Sequence, residues 1–274
     1  MLGKLIKYDL KALNPILIFV HAFLLLAALC IRIFISGRLF NEDSDFSGPY
    51  TAMAVGLLVV LFSLAVVLVL FSTELLIAMR FYKNLFSGEG YLTLTLPVTT
   101  GQHLLSRTIS GTLWGTLDMF LCFFSVYLAF ATPYVRETVG HELLQAWEEL
   151  LLMSDSGLPS PAAAVCFCIL FCITGVAASV LTIYASVTVG QVLFGHRIIG
   201  AVAIYFVINT AFSILSFIAL ALTGGLNMFF NPATFNPAMH VVNSLVLTEW
   251  LSAASILALY LLTYYMMKKK INLD

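Results

Sequence analysis

Two carboxylates sit where carboxylates are costly. Glu74 lies six residues before Arg80, about 9 Å in from that end of a long apolar run at 1.5 Å per residue. Asp118 lies nine residues beyond Ile109 in the next run, close to its middle. Ionisable side chains at such depth face a bundle interior or a cavity and mark ion or substrate paths. Glu74 and Asp118 are therefore candidate proton-relay or substrate contacts. The plainer alternative is hydrogen bonding between helices, with Asn209, Thr or Ser as partners. His21 is expected to bond to a neighbouring span, and Glu249 beside Trp250 to reach the outer interface.

Other reactive side chains lead to less. His141-Glu142-Leu143-Leu144-Gln145 begins like a zinc-protease helix but has Gln where the second His should stand, so a catalytic metal site is not expected. Cys166, Cys168 and Cys172 cluster in one run, and the last two share a helix face. Thiolates suit soft metals, but such cysteines ordinarily serve as small apolar packing residues. Five cysteines, all in apolar runs, do not make a disulfide framework. No G-x-x-x-x-G-K phosphate loop is present, so no ATP-hydrolysing motor is expected in this chain.

The elements that carry these residues are membrane spans. The chain has 274 residues, 61% hydrophobic and 10% charged, against roughly 45–50% and about 25% in a soluble domain. Apolar runs beyond the roughly 18–20 residues that cross a hydrocarbon core predict an all-α polytopic membrane protein with six spans: about 15–36, 51–79, 108–131, 162–192, 198–222 and 245–267. The first run is too long for a signal-peptide core and no small-residue cleavage site follows it, so it reads as a retained span. A net charge of −1 with scattered basic residues excludes a nucleic-acid partner.

Lys and Arg counts set the orientation. Lys4, Lys7, Lys11, Arg80, Lys83, Arg107, Arg197, Lys268, Lys269 and Lys270 fall on one side; only Arg32, Arg38 and Arg136 fall on the other. The excess marks the cytoplasm, so both termini are expected inside. Residues 1–13 place Leu2, Leu5, Ile6, Leu10 and Leu13 opposite Lys4, Lys7 and Lys11, predicting an N-terminal interfacial helix, or simply the basic flank of span one. Residues 137–153 place Val139, Leu143, Leu144, Trp147, Leu150 and Leu151 opposite Glu137, Glu142, Glu148 and Glu149. That pattern predicts an outer amphipathic helix, on the membrane surface or capping the bundle. Gly111-Thr112-Leu113-Trp114-Gly115 would let span three approach another helix closely, in this chain or in a second copy.

Between spans two and three, residues 80–107 form the longest cytoplasmic connection of the first half. Gly88 and Gly90 break the preceding helix, and Pro97 holds Leu96 extended. Leu92, Leu94 and Leu96 alternate with Thr93 and Thr95, which fits either a docking surface or a loop tucked onto the bundle. Thr99 and Gln102 have capping-box spacing, so a helix is expected to start there.

Glu89-Gly90-Tyr91-Leu92, Leu96-Pro97-Val98-Thr99 and Leu104-Leu105-Ser106-Arg107 together resemble the cytoplasmic loop of ABC exporter permeases of the type-two class. Met1 to Lys11, Phe81 to Phe86 and Gly190 to Arg197 are similar to a branch of that class found in Gram-positive gut and soil bacteria. The resemblance spans most of the chain; Arg107 stands where such permeases often carry Lys. It implies the non-catalytic membrane subunit of an ATP-driven exporter in the bacterial cytoplasmic membrane. Glu89, Gly90, Tyr91, Leu92, Leu96 and Pro97 would form the ATPase-coupling segment, with Arg107 beside it. Two copies of an ABC ATPase carrying the ATP and Mg, and a second permease protomer, identical or homologous, would complete the assembly in membrane lipid. The cargo would be hydrophobic or amphipathic: an antimicrobial peptide, a drug or a lipid. The other readings are an ion-coupled transporter using Asp118 and Glu74, and a non-transporting scaffold or receptor.

Overall fold

A polypeptide in lipid has no water to satisfy its backbone, so apolar runs of this length close their hydrogen bonds internally, as helices. The computed structural model describes residues 2–39, 49–86, 90, 97–131, 133–154, 159–193, 197–225 and 237–269. Among these residues are seven α-helices and no strand. They are α1 (Leu2–Leu39), α2 (Pro49–Phe86), α3 (Thr100–Phe130), α4 (Pro133–Ser154), α5 (Pro161–Leu193), α6 (Arg197–Leu220) and α7 (Pro237–Lys269); a π-helical turn, Ala221–Gly225, follows α6. All but α4 contain stretches long and apolar enough to cross a membrane. Their outward faces carry Phe19, Phe71, Phe123, Phe206 and Phe217, exposed side chains whose fitting solvent is lipid.

Local chemistry sets several ends. The Gln102 amide donates to Thr99 Oγ1 and the Thr99 amide to Gln102 Oε1, both at 3.3 Å, which is the expected capping box at the start of α3. Ser160 caps α5, its Oγ accepting from the Ala163 amide at 3.4 Å, with Pro161 at the first helical position. Arg32 Nη1 donates to the carbonyls of Ala131 at 2.6 Å and Leu128 at 3.4 Å, satisfying acceptors that the end of α3 leaves open.

The elements differ from the sequence expectation in three places. The N-terminal helix is not separate: α1 continues through Pro15, whose ring removes one intrahelical bond without ending the helix. The helix of the second span continues to Phe86, and that of the sixth span, α7, begins at Pro237, eight residues ahead of the expected 245. The described side chains of α4 are all exposed.

The chain divides into two compact units. One comprises Lys7–Leu76 and Leu113–Glu149. Here α1 buries Leu13, Leu17, His21, Leu24, Ala28 and Ile31, and α3 buries Trp114, Asp118, Cys122, Ser125 and Ala129. Steps of three and four residues make each set one continuous seam. Leu24, Ala28 and Ile31 pack with Phe62 and Val69 of α2 and with Cys122 and Ala129 of α3. The other unit comprises Met1–Ile6, Ile77–Thr112 and Leu150–Asp274. There α5 packs against α6 and α7. From Val180 to Gly190 every residue of α5 is buried, on all faces. Hydroxyls in that stretch bond back one turn: Thr182 to the Ala178 carbonyl at 2.8 Å, Ser186 to Thr182 at 2.6 Å and Thr188 to Tyr184 at 2.7 Å.

Candidate functional site

The connection after α2 begins under tight constraint. Gly90 is buried, and a Cβ added there would stand 2.5 Å from the Leu85 carbonyl oxygen and 2.8 Å from its carbon. Only glycine allows the backbone to lie this close to the last turn of α2. Pro97, at the other end of the segment, is exposed in a bend two residues before the Thr99 cap. Glu89, Tyr91, Leu92 and Leu96 lie outside the described residues.

Below that segment, the first turns of α3 are bound on several sides. Phe81 of α2 stacks on Tyr184 of α5 with ring centroids 4.0 Å apart and planes 13° from parallel. Tyr184 Oη donates to the Arg107 carbonyl at 3.1 Å, joining α5 to α3. Gly111 lies beneath the same tyrosine: a Cβ there would meet Val180 at 3.0 Å and Tyr184 Oη at 3.1 Å. The close approach foreseen from the G-x-x-x-G spacing is thus made at Gly111, to another helix of the same chain. From α7, Tyr260 Oη donates to the Gly101 carbonyl at 3.3 Å, and the Tyr264 ring lies 3.5 Å from where a Gly101 Cβ would be. Ser110 Oγ reaches the Ile6 carbonyl at 3.5 Å. Arg107 itself is only 7% exposed, so its side chain is enclosed in this packed base. Phe81, Tyr184 and Tyr260 were not singled out from sequence. A lone phenol in an apolar run, needing a bond for its hydroxyl, is the signal that could have found the tyrosines.

Asp118 lies in the other unit, 2% exposed. Its partner is neither Asn209 nor a Thr or Ser: Asp118 Oδ1 stands 2.6 Å from His21 Nε2. His21 does bond to another span, as its isolation suggested. Cys122 Sγ approaches the same carboxylate oxygen at 3.8 Å. Asn209 is exposed and donates its amide to the Tyr205 carbonyl of its own helix at 2.9 Å. Glu74 is half-buried on α2. Glu249 accepts from Thr174 Oγ1 of α5 at 2.9 Å, a bond to a neighbouring helix. Cys166 and Cys168 are exposed.

Among the described residues, six helices long and apolar enough to cross a membrane, with lipid-compatible outer faces, define a multi-pass membrane protein. Comparison with protein-family models, curated proteins and solved structures returns no match for this chain.

Proposed function

We propose that this chain is the membrane-spanning subunit of an ABC exporter of the type-two class. In this reading both termini are cytoplasmic, α4 lies on the outer side of a bacterial cytoplasmic membrane, and residues 80–107 face a separate ATPase. The ATPase, in two copies, binds and hydrolyses ATP with its Mg; a second permease protomer completes the path for a hydrophobic or amphipathic cargo. The observation that carries the reading is the build of the coupling end. Its segment leaves α2 through a glycine pressed on Leu85 and returns through a capped helix that α5 and α7 hold by Tyr184, Tyr260 and Tyr264. A loop that receives a push needs such a rigid base, because close-packed contacts transmit displacement where loose ones absorb it.

The test is a double substitution, Leu92→Asp with Leu96→Asp, made in cells carrying the cognate ATPase. Membrane insertion should be retained and ATPase co-purification lost. A variant that still brings down stoichiometric ATPase refutes docking through this segment. The burial of Asp118 favours a second reading, an ion-coupled transporter using Asp118 and Glu74. That reading requires transport driven by a proton gradient without an ATPase partner.

A further inference from the structure

The His21 ring spends both of its nitrogens. Nδ1 lies 2.6 Å from the Leu17 carbonyl oxygen, one turn back on α1. A carbonyl can only accept, so Nδ1 carries a hydrogen and donates it. The other nitrogen, Nε2, faces Asp118 Oδ1 at 2.6 Å, a separation at which one hydrogen must lie between them. With Nδ1 already committed, only two arrangements satisfy the contact without net charge: an imidazolium donating to a carboxylate, or a neutral imidazole accepting from a protonated carboxyl. Both contain the same single proton, and both are neutral overall.

Every departure from that count leaves the pair charged. Without the shared proton, the Nε2 lone pair faces a carboxylate lone pair, and a net negative charge is left in a nearly dry place. With one proton more, on Asp118 Oδ2, the Nε2–H still donates to Oδ1 but the pair carries a net positive charge. Either charge is expensive away from water. The location makes this matter. His21 stands ten residues after Lys11 and eleven before Arg32, so about 15 Å from the level of each at 1.5 Å per residue. Those basic residues are thus about 30 Å apart, the thickness of a hydrocarbon core, and the pair is near its centre. Both residues are seam positions of the α1–α3 contact, between Leu17 and Leu24 on one helix and Trp114 and Ser125 on the other.

We propose that His21 and Asp118 form a single-proton binding site that clips α1 to α3 near mid-membrane, closed when it holds one proton and released when that proton leaves. The titratable groups around it are few. Cys122, one turn along α3, adds a weak S–H donor to the same oxygen. Helix α2, which packs on both through Phe62 and Val69, has no titratable residue from Met53 to Thr73; Glu74 follows at its end. The site does not depend on the exporter reading: a clip of this kind could gate an ATP-driven or an ion-driven path.

Full-length protein in lipid nanodiscs provides the test. Histidine ¹⁵N resonances, assigned to His21 by their loss in His21→Gln, are recorded at neutral pH beside the infrared carboxyl bands of ¹³C-aspartate protein. The expected result is an imidazole with both nitrogens protonated, or a protonated aspartic acid band that Asp118→Asn removes. A bare Nε2 together with an ionised carboxylate would overturn the proposal, and this readout needs only wild-type folding. A second arm uses Asp118→Asn, whose side-chain N–H donates to the neutral Nε2 and keeps the clip without a titrating proton. Wild-type unfolding should show a loss of stability as pH rises through release of the proton, and Asp118→Asn should lack that step. The same step in both proteins would also overturn the assignment.

Discussion

Replacing Gly190 with alanine is expected to force α5 and α6 apart. A Cβ at this position would stand 2.3 Å from the Ala201 nitrogen, 2.6 Å from the Ala201 Cα and 2.7 Å from the Gly200 carbonyl carbon. All three atoms are α6 backbone, so no side-chain rotation relieves the overlap. Ordinary contact begins at 3.4 Å, so the helices must separate by about 1 Å at their closest point. Overpacking of this kind costs about 1–3 kcal/mol, and the rigidity of the opposing atoms puts Gly190→Ala at the upper end. Alanine's better helix propensity returns about 1 kcal/mol, leaving a net loss of about 2 kcal/mol. At 2–4 °C per kcal/mol for a chain of this size, the melting temperature should fall by about 4–8 °C. Gly175→Ala in the same helix is the control, because nothing lies within 4 Å of a Cβ there. Only the propensity gain applies, and the melting temperature should rise by about 2–4 °C. Intrinsic tryptophan fluorescence during thermal unfolding in detergent measures both. A Gly190→Ala protein melting at or above wild type would refute the close approach of α5 and α6.

Two further outcomes concern the segment after α2 and the helix that follows it. Gly90→Ala places a Cβ against the Leu85 backbone, so the segment must shift; under the proposed exporter reading, stimulation of the partner ATPase should drop several-fold with expression retained, and unaltered stimulation would show that the contact does not set the segment. Tyr184→Phe keeps the stack on Phe81 and deletes only the hydroxyl bonded to the Arg107 carbonyl, so stability should fall by about 1 kcal/mol while Tyr184→Ala loses several times more; equal losses would assign the tyrosine's role to its hydroxyl alone.

Spans were the most legible feature of this sequence, because twenty apolar residues in lipid leave the backbone a single way to satisfy itself. The Thr99–Gln102 cap was legible for a similar reason: both partners lie within one turn, so their spacing alone decides the bond. Helix ends were less so. The first helix absorbs Pro15 and the expected interfacial segment, since a proline forfeits one bond that neighbouring packing can replace. The pairing of His21 with Asp118 was not legible, because 97 residues separate them and nothing local in either helix specifies the other. Their seams were available in outline: Leu17, His21, Leu24, Ala28 and Ile31 keep a three-four rhythm, and Trp114, Asp118, Cys122 and Ser125 keep the same one. A charged group on such a seam requires a partner on the facing seam, which would have favoured His21 over an exposed residue such as Asn209.

The distribution of burial along α5 bears on how a push at one end could be used. Residues 165–170 of that helix are mostly exposed, whereas Val180 to Gly190 are enclosed on every face. The enclosed stretch is also the part joined to Phe81, to the Arg107 carbonyl and to Gly111. These are a ring stack, a hydrogen bond to backbone and a glycine contact, none of which involves a long side chain able to flex. A displacement of about 1 Å at Leu85 therefore reaches Tyr184 with little lost, because packed interiors move between discrete arrangements more readily than they deform. Gly190 extends the same rigidity to α6 through backbone contact. Under the proposed exporter reading, α5 would carry motion away from the segment that follows α2, toward its own exposed half.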